Sequence, residues 1–218
     1  MPFLYLSYYI NEKTPIYGGE KAIYIENRSE ISNGDSSNTK YLKFPNHTGT
    51  HIDFPNHFSD LGKTINSYDA SFWITDKVHV INYAAKEEEI IGNKIFKNNS
   101  LPKDTEFLIL NTGFHKKRDK KTYWNNNPGL APELANNLKK QCPKLRYIGF
   151  DFISLTSYQN RLLGRESHVQ FLMKNNILLI EDMDLRKIKN KKIRSITALP
   201  LMFDNLDGSP ISIIANYE

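Results

Sequence analysis

Within the segment FPNHTGTHIDFPNH, His47, His51, Asp53 and His57 fall inside eleven consecutive residues of a chain that has six histidines in all. Imidazole and carboxylate at this density form a ligand set suited to zinc, manganese or iron. They are poorly suited to calcium or magnesium, which prefer oxygen. Pro45, Gly49 and Pro55 argue against a helix, so the segment is read as extended. Odd-numbered positions then share one face. At roughly 3.3 Å per residue, His51 and Asp53 lie ~6.6 Å apart and can converge on one ion, whereas His47 lies ~13 Å from His51. The chain must therefore fold back at Thr48-Gly49-Thr50, where glycine permits the bend, and Pro55 must turn it again to bring His57 over the site. Fewer than four strong ligands leave a position open for water, the mark of a catalytic ion. Such an ion draws the pKa of bound water towards neutrality and makes a nucleophile without serine or cysteine.

The elements that would carry this segment are short. The apolar runs FLIL (107–110), YIGF (147–150), ILLI (177–180) and ISIIA (211–215) read as strands. Leu130 to Lys140 reads as a helix with Pro132 in its first turn and Leu134 and Leu138 four apart. A second helix is predicted from Ser167 to Lys174, ended by Asn175-Asn176. Helix followed by a continuous apolar strand predicts a buried mixed sheet with flanking helices, an α/β arrangement. Polar Glu30 to Thr39 reads as a loop.

The 218 residues suit one domain, 1–218. A net charge of +5 is modest, and the basic runs at 116–118 and 186–194 are interleaved with acidic or apolar residues. They read as solvated faces, so no nucleic-acid partner is expected. The N-terminal stretch lacks the basic start of a signal peptide, and no apolar run reaches ~18 residues, so no membrane partner is expected. Cys142 is the single cysteine, which excludes an internal disulfide and a cysteine-rich zinc site and fits a reducing, cytoplasmic setting. The sequons at Asn27, Asn46 and Asn98 are read as chance matches, and His79 and His115 receive no role.

The pattern His47-x-Gly49-Thr50-His51-x-Asp53-x-Pro55-x-His57 resembles the signature of the cyclase family of metal-dependent hydrolases, which includes bacterial kynurenine formamidase and isatin hydrolase. FLILNTGF, NPGLAPELANNL, YIGFDFISL and LPLMFDNLDGSPISIIA resemble further stretches of that family in the same order. The resemblance implies a swivelling β/β/α cyclase-like single domain. It implies one or two divalent ions, zinc or manganese, held by His47, His51 and Asp53 with Asp53 bridging to His168 and Glu181. His57 would then be the proton donor and acceptor, and Tyr17 would line the substrate pocket. Glu181 directly follows ILLI, so its buried-strand carboxylate needs a cationic partner on physical grounds as well. His168 and Glu181 are thirteen apart where about twelve is expected, implying one inserted residue near Asn175-Asn176. Two residues depart from the family pattern: Tyr5 stands where an acid is usual, and Ser212 where arginine is.

These readings imply an enzyme acting on a small molecule, hydrolysing a non-peptide carbon–nitrogen bond with metal-activated water. A polyketide-type cyclase or dehydratase on the same ion, and a non-catalytic metal-binding module, are the alternatives. Analogy with the family implies a homodimer or higher homo-oligomer.

Overall fold

The computed structural model describes residues 2–97 and 99–218; the third sequon, at Asn98, lies outside the described residues. Among the described residues the strands are β1 (Phe3–Tyr5), β2 (Tyr24–Ser29), β3 (Thr39–Lys43), β4 (His51–Asp53), β5 (Ile74–Thr75), β6 (Val78–Asn82), β7 (Ile90–Ile91), β8 (Phe107–Asn111), β9 (Gly129–Leu130), β10 (Tyr147–Phe150), β11 (Leu178–Glu181), β12 (Ile193–Pro200) and β13 (Gly208–Tyr217). The α-helices are α1 (Thr122–Asn125), α2 (Pro132–Gln141) and α3 (Arg161–His168).

The main sheet runs β5-β12-β13-β4-β11-β10-β8-β6, with β1 added to β13. Strands β6, β8, β10 and β11 are parallel to their neighbours within this block, while β4 is antiparallel to both β11 and β13. Strands β8, β10 and β11 are buried along nearly their whole length, which is why they read as unbroken apolar runs instead of alternating ones. The sheet curls until β12 packs against β6 from the far end of the strand order, giving a near-barrel. The α/β fold class predicted from sequence is the observed one. Among the described residues, no helix is long and apolar enough to cross a membrane.

Helix α2 starts with proline in its first turn and carries Glu133 there, with Lys139 and Lys140 in its last turn, so its charges oppose its dipole. It buries Leu134, Ala135 and Leu138. The next helix corrects the sequence reading. Its α-helical part spans Arg161–His168, so His168 closes it and does not open it, and Val169–Lys174 continue as a π turn. Amphipathic spacing failed there because a π turn holds more residues than an α turn. Asn175 N–H closes that turn by donating to Gln170 O, five residues back, at 3.1 Å. Glu181 itself closes β11 and does not follow it. The polar stretch from Glu30 joins β2 and β3, an exposed two-stranded hairpin that no apolar run announced.

Candidate metal centre

Strand β4 is three residues long and wholly buried, and its register places the chemistry. His51 pairs with Glu181 of β11, and Asp53 pairs with Gly208 of β13. Directly paired residues share a sheet face, so His51, Asp53 and Glu181 project together. The predicted reversal before β4 occurs at Gly49, whose φ is +62°. His168 reaches the same point from the end of α3.

Two imidazoles are held in one orientation by backbone. His51 Nδ1 donates to Gly49 O at 2.9 Å and His168 Nδ1 to Gly164 O at 2.8 Å, which turns each Nε2 towards the carboxylates, where it can carry a proton or, without it, bind an ion. His51 Nε2 stands 3.3 Å from Glu181 Oε2 and 3.5 Å from Asp53 Oδ1. His168 Nε2 stands 3.5 Å from Asp53 Oδ2 and 3.8 Å from Glu181 Oε1. These gaps exceed a good N–H···O bond. They match the roughly 3.4 Å expected between two ligands each about 2.1 Å from a tetrahedral ion. The donor set therefore fits a divalent transition ion. Glu181 is fixed further by Leu155 N–H, which donates to Oε1 at 2.7 Å.

His47 lies on the other side of Asp53, donating from Nδ1 to Oδ1 at 2.8 Å. Its ring centroid is 4.0 Å from that of His57, the two planes tilted by 30°. Each of two triads, His47–Asp53–His57 and His51–Asp53–Glu181, has ligand atoms within 4.8 Å of one another, with Asp53 common to both. Asp53 thus stands between two groups of ligand atoms, and the groupings are not those the resemblance implied. His57 joins His47, and His51 joins Glu181.

Burial works against charge at every imidazole here, and carboxylates overcome it at three. His47 is raised to about 10 by Asp53 and Asp207, and His168 to about 9 by Asp53 and Glu181. His51 is raised by Glu181 and Asp53. Burial also disfavours charge on Asp53 and Glu181, yet the imidazoles keep both below the usual carboxylate range. Adjacent buried carboxylates require positive charge beside them, and protons or an ion can supply it. At His57, in contrast, burial prevails and lowers the pKa.

A cavity of about 730 Å³ opens over these groups. Tyr17 lines it, its ring 5.5 Å from that of Tyr158. Phe58 stacks on His168 at 4.3 Å, and Arg161 and Arg165 stand at the wall. The two departures from the family pattern, Tyr5 and Ser212, are exposed and do not line this cavity. His115 bonds to buried Asp151 at 2.7 Å, and His79 lies in β6; neither lines the cavity. Sequence reasoning missed Asp207, whose Oδ2 accepts from both His57 and His47. The Asp-Gly-Ser-Pro stretch signalled it, but only as part of a strand pair.

The sequence model of the family described as "Putative cyclase" matches residues 4–156. The chain is 32% identical over 181 residues to kynurenine formamidase of Bacillus cereus (strain ATCC 10987 / NRS 248), covering 82% of this chain and 80% of that one. It is 29% identical over 210 residues to kynurenine formamidase of Geobacillus thermodenitrificans (strain NG80-2), covering 96% and 95%. It is 28% identical over 195 residues to cyclase-like protein 2 of Arabidopsis thaliana, covering 85% and 68%. Among solved structures, an isatin hydrolase bound to the product analogue thioisatinate superposes with a TM-score of 0.79 at 18% identity, over 99% of this chain and 92% of that one.

Proposed function

The chain belongs to the cyclase family, and from that premise we propose that it is a metal-dependent hydrolase of carbon–nitrogen bonds in small, non-peptide amides. The observation that carries this reading is the set of four gaps between buried imidazole and carboxylate atoms, each the separation of ligands that share an ion. His51, His168, Asp53 and Glu181 would hold zinc or manganese, with His47 on the far side of Asp53. When bound, such an ion supplies Lewis acidity and brings water towards ionisation near neutral pH.

The chain's own groups account for the rest of the reaction. His57 stands at the cavity wall, and burial, by lowering its pKa, favours the neutral imidazole that can accept a proton as general base. It takes a proton from water as the oxygen adds to the amide carbonyl carbon. It returns that proton to the nitrogen as the carbon–nitrogen bond breaks, leaving a carboxylic acid and an amine. Tyr17, Tyr158 and Phe58 offer ring faces to a flat substrate. N-formylkynurenine and isatin, the substrates of the named relatives, are the first compounds to assay. In ¹⁸O-labelled water the hydrolase reading expects one solvent oxygen in the acid product. Turnover without label would favour ring closure or dehydration instead.

A further inference from the structure

Asp207 is 150 residues from His57 in the chain, yet the pairing of Gly208 with Asp53 brings it to the site. Its carbonyl accepts from Phe54 N–H at 2.9 Å, which ties it to the residue after Asp53. Both oxygens of its carboxylate accept hydrogen bonds. Oδ2 accepts from His57 Nδ1 at 2.8 Å and from His47 Nε2 at 3.0 Å. Oδ1 accepts from Asn46 Nδ2 at 2.7 Å, and that same amide also donates to Gly208 O at 3.1 Å. The neighbouring glycine is required, because any β-carbon at Gly208 would overlap the His47 ring.

We propose that Asp207 is a positioning residue that fixes the orientation and tautomer of His57 through Nδ1 and locks His47 against it. With Nδ1–H committed to the carboxylate, Nε2 of His57 is the atom left to exchange a proton with water and with the departing nitrogen. The same oxygen holds His47, so the proton carrier and the imidazole beside Asp53 move as one unit. Asn46 keeps the carboxylate from turning away. Its effect on rate rests on the hydrolase reading; its effect on the His57 tautomer does not.

The test compares the full-length protein with Asp207→Ala and Asp207→Asn, each reconstituted with zinc. Long-range ¹H–¹⁵N spectra of neutral histidine rings read the tautomer, and steady-state assays on N-formylkynurenine read the rate. The wild type is expected to show His57 protonated at Nδ1, and Asp207→Ala to show a mixture or the Nε2 form. In the same variant kcat is expected to fall about tenfold to a hundredfold with KM changed less than about threefold. Asp207→Asn keeps an acceptor of the same shape and is expected to recover part of both signals, which separates positioning from a folding defect. An unchanged His57 tautomer in Asp207→Ala overturns the proposal. A shifted tautomer in a protein that turns over no amide upholds the positioning and sinks the hydrolase reading instead.

Discussion

His57 is the residue where ligand and proton carrier must be told apart, because one of its nitrogens lies within 4.8 Å of atoms of both His47 and Asp53. Both nitrogens of His47 bond carboxylates, whereas His57 bonds only Asp207 and faces the cavity. His57→Ala is therefore expected to cut turnover by about a hundredfold or more while bound metal per chain stays the same. Metal content falling in step with activity would make His57 a ligand. At this scale the sequence was informative for the local motif, since four reactive side chains within eleven residues have few structural uses. It gave Asp207 no role beyond its stretch, because the partners of that aspartate come together only through strand pairing.

Asp182 shows how the elements hold the site in place. It follows Glu181 with a φ of +50°, in the left-handed region that residues other than glycine enter uncommonly and aspartate more readily than most. Three partners keep it there. Arg118 grips its carboxylate with Nε at 2.8 Å and Nη2 at 2.6 Å, Tyr123 donates to Oδ1 at 2.5 Å, and Thr50 donates to its carbonyl at 2.6 Å. Thr50 immediately precedes β4, so this knot binds the end of β11 to the start of the motif strand. The Arg118 side chain is 18% exposed and that of Asp182 1%, so removing the cation leaves a buried charge unpaired. Arg118→Met is expected to destabilise the fold by about 3 kcal/mol, read from urea unfolding. A loss below about 1 kcal/mol would mean that the pair does not hold the strand end. The sequence revealed the buried strands because continuous apolar runs have few other uses. It hid the π turn and the hairpin of β2 and β3, whose residues carry no distinctive periodicity. The quoted Gly-x-Asp stretch proved structural: Asp151 accepts from the Thr112 N–H and hydroxyl and holds the turn after β8.

Across the whole molecule, one short strand joins two halves of a curled sheet, and the reactive groups gather where it does so. Strand β4 pairs with β11 on the parallel side and with β13 on the antiparallel side. His51 and Asp53 arrive from the motif, Glu181 from the parallel block and Asp207 from the antiparallel one, while α3 delivers His168 over them. Such convergence of distant segments could be anticipated from the sequence only through likeness to a family. Local spacing could not place His168 beside Asp53, 115 residues away. The decisive measurement is elemental analysis of the wild-type protein and of Glu181→Gln, both purified without added metal and both checked for native circular dichroism. The buried ligand set predicts at least one zinc or manganese per wild-type chain, and at least a tenfold weaker hold on it in the folded variant. A folded wild-type protein that binds neither ion, even when each is supplied in excess, would contradict it.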